Sequence, residues 1–312
     1  MSEIRRFTRT PFCTGADDPE RSAVRGILQL GETVIIETAG GHDNDYQMQD
    51  SLQSGAVFEV RAHRHSRQGP FVIEGIEAGE WVQIEILEMD VGPYGFYRNG
   101  GPLWGSMRCI APVRDGLVHF PPDFVVPTRP MIGYVRLESV AGYEIDSGGN
   151  MDFNSVQPGS TLHIRAQKRG GLMTLTDVHA RMGDGELTAT GVEIDSAITL
   201  RVNRSPGFPC HAPVVEKSRH IEAEEEWLTS GQGGNWQEAI KAAWIDMIAL
   251  ISDRYDCTVE EANLIVGTIA DARPGYSAGD LNKRGRGGPS GYITVQLAVT
   301  KQLQRTGQPY QP

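Results

Sequence analysis

The sequence predicts a mainly β protein, sandwich- or barrel-like, with a small α+β region at its C-terminal end. Two observations carry this. Short apolar runs of period two recur from Ile27 to Val202, separated by Gly- and Asx-rich turns. Apolar residues at three- and four-residue spacing come only after Asn235. Pro206, Pro209 and Pro213 fall between the two patterns, so the expected division is 1–205 as a β-rich unit and 206–312 as an α+β region. At 312 residues the chain can form one large β unit or two domains.

Residues 1–25 are polar and charged and read as an irregular arm suited to packing on a partner subunit. Ile27 to Thr38 alternates as strands. Ala39 to Tyr46 is a turn-rich loop whose His42, Asp43 and Asp45 are within reach of a site, although Asx-rich turns are usually turns alone. His63 and His65 share a face if Val60 to Ser66 is extended, which suits a metal pair; Arg61, Arg64 and Arg67 suit a solvated edge equally well. Phe71–Ile73 and Trp81–Leu87 are strands around a turn at Gly79. Gly92 to Pro122, with Tyr94, Phe96, Tyr97 and Trp104, is too long for a simple connector; it reads as an ordered loop or lid, or else as a poorly patterned pair of strands.

Leu117–Phe120 and Ile132–Glu138 are strands, the second delivering the chain to Gly148-Gly149-Asn150. Ser160–Ala166, Leu172–His179, Leu187–Val192 and Glu193–Val202 follow. His211 and His220 lack a carboxylate at ligand spacing and read as structural or surface residues. Asn235-x-x-Glu238 opens a helix whose stripe, Ile240, Ala243, Trp244, Met247, Ile248 and Ile251, faces a core. Thr258-Val-Glu-Glu261 opens a second helix to about Ala270. Leu281 to Ser290 carries Lys283, Arg284 and Arg286 among glycines but no G-K-[ST], so a mobile loop is favoured over an anion cradle. Tyr292–Val299 closes the sheet.

The net charge of −11 argues against a nucleic-acid partner. No run of about 18 apolar residues is present, so no membrane span is expected. The first residues have no apolar leader pattern. Cys13, Cys109, Cys210 and Cys257 are far apart and read as free thiols of a reducing cytoplasm.

Ligand-type side chains concentrate between Asp146 and Glu193. One cluster is Gly148-Gly149-Asn150-Met151-Asp152. The other is Asp177-Val178-His179 followed by Gly183-Asp184-Gly185-Glu186. Asp177 and His179 are two apart and share a strand face. Glycines 183 and 185 put Asp184 and Glu186 on a tight turn. Each fragment alone is a weak motif, since Gly-Asp-Gly is above all a turn.

Their order is more specific. GGNMD, then D-x-H-A-x-x-G-D-G-E, then Glu193, resembles the acetamidase/formamidase family of amide hydrolases. Gly69-Pro-Phe-Val-Ile-Glu-Gly-Ile-Glu-Ala-Gly-Glu80 is similar to that family's G-P-x-x-V-x-G-A-x-P-G-D, and Pro130-Met-Ile-Gly133 to its P-x-I-G. His65 falls where the family often has a His before G-P. The resemblance runs from about Thr33 to about Ala270. Arg165 to Lys168 departs from the family's proline-containing apolar strand, which bears on the substrate more than on the fold.

The resemblance implies an amidase, and amide hydrolysis needs an activated water, a sink for carbonyl charge and a proton for the leaving nitrogen. A divalent metal, Zn²⁺ first and Ca²⁺ second, meets the first two needs. The expected ligands are Asp152, Asp177 and His179, with Glu193 and His65 as weaker members. Glu186 is the expected general base. Gly148 and Gly149, with the Asn150 side chain, are the expected substrate and oxyanion contacts. The expected substrate is a small linear amide and the expected assembly a homo-oligomer. The alternatives are a non-catalytic β protein holding a structural cation, or a hydrolase of a larger amide, a lactam or a urea-like bond.

Overall fold

Alternation of apolar and polar residues is written directly into the burial of this chain. In Thr33–Thr38, Val34 and Ile36 are fully buried while Thr33, Ile35 and Glu37 stay partly exposed. The structure, a computed structural model, describes residues 4–9, 24–39, 67–101, 105–120, 122–137, 145–188, 190–217, 225–277 and 292–304. His42, Asp43, Asp45, His63, His65, His220 and the loop Leu281 to Ser290 lie outside the described residues.

The early strands are β1 (Arg5–Phe7), β2 (Gly26–Leu28), β3 (Thr33–Thr38), β4 (Gln68–Ile73), β5 (Trp81–Gly101), β6 (Gly105–Arg114), β7 (Leu117–Phe120), β8 (Phe124–Pro127) and β9 (Met131–Leu137). Then come β10 (Gly148–Asn150), β11 (Ser160–Arg165), β12 (Met173–His179), β13 (Glu193–Arg204), β14 (Val214–Lys217) and β15 (Glu226–Gly233). Helices α1 (Trp236–Tyr255) and α2 (Val259–Ile269) precede β16 (Asp271–Pro274) and β17 (Ile293–Thr300). The protein is mainly β, as expected, with a small helical region near the C-terminal end.

Two runs of strands organise the site. In one, β13 is antiparallel to both β3 and β5, and the ladder continues through β11, β14, β15 and β17 to β16. In the other, β12 is antiparallel to β4 and β9, and β9 to β10. The runs meet where His179 pairs with Glu193.

Val34, Phe71, Ile84, Leu162, Leu175 and Ile198 belong to one large buried cluster. A smaller one, around Trp227, Met247, Leu250 and Leu297, lies under the helices. The Asn235 side chain accepts the Glu238 N–H at 3.0 Å, and Thr258 with Glu261 forms a reciprocal cap on α2, as the sequence signals indicated.

Three expectations are corrected and one open reading is decided. Residues 5–7 of the supposed arm form β1, parallel to β3, with Phe7 edge-on to Phe71 of the same chain at 4.9 Å. Of the readings left open for Gly92 to Pro122, the pair of strands holds over the described residues: most of it is a β5–β6 hairpin, continued by β7 and β8, because glycines there still accept extended backbone. The described residues of Leu187 to Val192 (187, 188 and 190–192) are turn and irregular backbone, not a strand; Leu187 is 62% exposed, and Gly191 lies against the His179 ring. The buried stripe of α1 is Ala239, Ala243, Asp246, Met247, Leu250 and Ile251, with Trp244 rotated outward. Asp246 belongs to that stripe because it accepts the backbone N–H groups of His211 and Ala212, at 2.8 and 3.0 Å, and bonds the His211 ring at 2.8 Å.

Candidate active site

Each acidic residue of the cluster is placed by a different device. Asp152 follows β10, where the carbonyl of Gly133 on β9 accepts the N–H groups of both Met151 and Asp152, at 2.9 and 3.2 Å. Asp177 and His179 come from the end of β12. Glu193 begins β13 and is paired with His179. Glu186 closes the 183–186 turn, its N–H donating to the Gly183 carbonyl at 3.2 Å. Ser277 pins that turn by donating its hydroxyl to the Gly185 carbonyl at 2.5 Å.

Asp152, Asp177, His179, Glu186 and Glu193 are thereby all buried in one place. One ligand atom each from Asp152, His179 and Glu186 lie within 4.8 Å of one another, as do those of Asp177, His179 and Glu193. His179 Nε2 is 3.2 Å from Glu193 Oε1 and 3.5 Å from Asp177 Oδ1. The Asn150 amide donates to Asp152 Oδ2 at 2.6 Å, so this residue orients a carboxylate as well as lining the pocket. Of the expected site residues, only His65 lies outside the described residues and is not brought to the group.

The backbone around the cluster is tight. Asp152, Asp177 and Glu186 have φ of 50°, 65° and 42°, half of the six non-glycine residues with positive φ among those described. Such conformations cost about 1–3 kcal/mol each and persist where the surroundings impose them. Gly133 is required by packing: a Cβ there would strike Asp152 Oδ1 and approach Asp177 Oδ2 to 2.9 Å.

The electrostatics are unusual for a protein interior. Burial, reinforced by the Glu186 and Asp177 carboxylates, pushes Asp152 well above the ordinary carboxylate range. Burial alone would lower His179, but Glu193 and Asp177 overcome it and hold the ring well above the usual histidine range. Four buried carboxylates around one imidazole are costly unless a proton or a cation compensates them.

The donor set fits a divalent cation. Ligand atoms on a tetrahedral zinc with bonds of about 2.0–2.2 Å stand roughly 3.3–3.6 Å apart, close to the two His179 separations. Asp152 Oδ1 is buried with no hydrogen-bond partner among the described residues, which suits a coordinating oxygen.

A pocket of ≈ 170 Å³ opens beside Asn150, with Gly148 and Gly149 in its wall. Tyr134 and Arg136, two apart on β9, pair with Asn150 and Gly148 on β10 and line the same pocket. Gln232, Tyr292 and Thr294 supply another wall. Burial, with the Asp152 carboxylate next, raises the Tyr292 phenol and keeps it protonated. The sequence reading missed these lining residues. The only local hint was the Tyr134–Arg136 spacing on the strand leading to Gly-Gly-Asn.

Residues 135–268 match the model of the Acetamidase/Formamidase family. An acetamidase structure from Bacillus halodurans superposes with a TM-score of 0.78 at 22% identity, covering 95% of this chain and 97% of that one. A predicted acetamidase/formamidase from the thermophile Thermoanaerobacter tengcongensis gives 0.78 at 21%, over 96% and 97%. An acetamidase from Yersinia enterocolitica gives 0.74 at 21%, over 90% and 86%. These structural likenesses show the fold. No curated protein matches the sequence.

Over residues 135–268 the chain is therefore similar to a family of amide hydrolases, which act on carbon–nitrogen bonds. The matched segment contains GGNMD and D-x-H-A-x-x-G-D-G-E, the motifs that carry the resemblance to the Acetamidase/Formamidase family.

Proposed function

We propose that the protein is a metal-dependent amidase that hydrolyses a small linear amide of the formamide or acetamide type to a carboxylate and ammonia. The observation that carries this is the convergence of four buried carboxylates on His179 beside a pocket. Asp152, Asp177, His179 and Glu193 are the proposed ligands. The imidazole favours Zn²⁺, while the excess of carboxylate oxygens keeps Ca²⁺ as the second choice. A divalent cation held there supplies Lewis-acid polarisation of the amide carbonyl and acidifies water.

The chain's own groups do the rest. Glu186 takes a proton from water and passes it to the departing nitrogen. The pocket-facing backbone at Gly148 and Gly149 positions the amide. Asn150, whose NH₂ has two donors, keeps one on Asp152 and directs the other toward the developing oxyanion. No helix among the described residues is long and apolar enough to cross a membrane. Cys210 and Cys257 are free thiols, which supports a cytoplasmic setting. We further propose a homo-oligomer.

The test is metal content of the purified protein together with ammonia release from formamide and acetamide, before and after chelation. Bound metal and chelator-sensitive release are expected. Metal-free protein with full turnover would overturn the mechanism; bound metal with no release from any amide would favour a structural ion.

A further inference from the structure

The pocket is larger and more basic than a two-carbon neutral amide requires. A cavity of about 150 Å³ takes benzene, with six heavy atoms, whereas acetamide has four; this pocket measures ≈ 170 Å³. Its lining contains two guanidinium groups, Arg67 and Arg136, and no carboxylate, in a chain whose net charge is −11.

The two arginines are placed for a planar anion. Arg136 and Tyr134 share one face of β9. The Tyr134–Asn150 pair therefore marks the reacting end, and the Arg136–Gly148 pair lies two residues, about 6.8 Å, further along the ladder. Arg67 stacks its guanidinium over the Tyr134 ring at 4.7 Å, which orients its fork of donors. A guanidinium fork matches a carboxylate bidentately and confers geometric selectivity as well as charge.

We propose that this pocket selects amides bearing a second, anionic group, a carboxylate held by Arg136 and Arg67 while the amide lies against Asn150. The proposal rests on the amidase reading and narrows its substrate. The reaction is the same hydrolysis: succinamate and water give succinate and ammonium, a C–O bond replacing the C–N bond and water's protons leaving on nitrogen.

The test compares kcat/KM for succinamate with that for its neutral isostere 4-oxopentanamide on the metal-loaded full-length protein. A charge-assisted contact predicts a preference for succinamate of about tenfold to hundredfold, shrinking as salt is raised. In Arg136→Gln the ratio should fall toward unity; Arg67→Gln, at an exposed position, should lower it in part and is the readout if the half-buried Arg136 variant folds poorly. Equal rates on the two amides, or a neutral preference, overturn the proposal and leave the amidase reading intact. A succinamate preference that survives both substitutions also overturns it, as does a fall in both rates together, since arginines that only balance the buried acids would affect both substrates alike. Release of ammonia from neither amide, nor from formamide or acetamide, sinks the amidase reading and this proposal with it.

Discussion

Adding one methyl group at Gly133 should disable the cluster without replacing any of its side chains. The Cβ of Gly133→Ala would overlap Asp152 Oδ1 and come within 2.9 Å of Asp177 Oδ2 and 3.0 Å of the Asp177 carbonyl. Both side chains are buried, and Asn150 holds Asp152 Oδ2 at 2.6 Å, so the carboxylates have little room to yield. Overpacking of this kind costs about 1–3 kcal/mol. For 312 residues the unfolding entropy is about 0.65 kcal/mol/K, so Tm should fall by about 2–5 °C. The larger effect should be on the site: displacement of Asp152 by even 1 Å costs on the order of 10²-fold in turnover. Gly183→Ala is the control, because a Cβ there meets nothing within 4 Å, and it should shift stability by less than about 0.5 kcal/mol. The assays are thermal unfolding, metal per chain and ammonia release. A Gly133→Ala protein with unchanged Tm, full metal and wild-type turnover would refute the assigned crowding and, with it, the placement of Asp152 in the centre.

Glu186→Gln should retain bound metal and lose turnover by about 10²–10⁴-fold; unchanged turnover in an ammonia assay removes it as the base. His179→Ala should lower metal content and abolish turnover with circular dichroism unchanged, and full metal occupancy would sink its role as a ligand. Asp246→Ala strips the acceptor from the His211 and Ala212 N–H groups and should cost about 1–3 kcal/mol, read as a drop in the urea midpoint. Burial would raise Glu216, but hydrogen bonds from His163 at 3.0 Å and Lys301 at 2.8 Å win and hold it down to about 2. Its folded-state value is therefore below its unfolded one, so its stabilisation is complete above pH 4.5 and is lost as pH falls toward 2. The side chain is 30% exposed, which discounts the effect to about 1–2 kcal/mol; urea unfolding of Glu216→Gln between pH 2 and 7 should show the difference from wild type vanish at the acid end.

Local signals were read well where local physics decides. The alternation of β3 and β13, the caps at Asn235 and Thr258, and the Gly-Asp-Gly turn before Glu186 each depend on a few neighbouring residues. The sequence misled where tertiary context overrides pattern. Leu187 to Val192 alternates like a strand, but the chain must turn there to pass Gly191 over the His179 ring. The β5–β6 hairpin carries the glycines and aromatics of a loop. Trp244 fits an apolar helical period, yet the core side of α1 is occupied by Asp246, whose three acceptor contacts outweigh its polarity. The four cluster acids and His179 were visible because they are compressed into residues 152–193. The pocket walls were not: Gln232 pairs with Thr294 across β15–β17, Tyr134 and Arg136 pair with β10, and only the packing of these distant segments brings the two together.

The positive φ values at Asp152, Asp177 and Glu186 set this centre against the stability of its own scaffold. Asparagine or glycine would occupy those backbone positions more comfortably and would also relieve the mutual repulsion of the buried acids. Asp177→Asn should thus yield a protein that melts higher and does nothing, the familiar exchange of robustness for activity. A bound cation relieves the same repulsion without that sacrifice, by an amount that grows with its free concentration. Heat resistance measured against metal concentration then becomes a gauge of how full the site is.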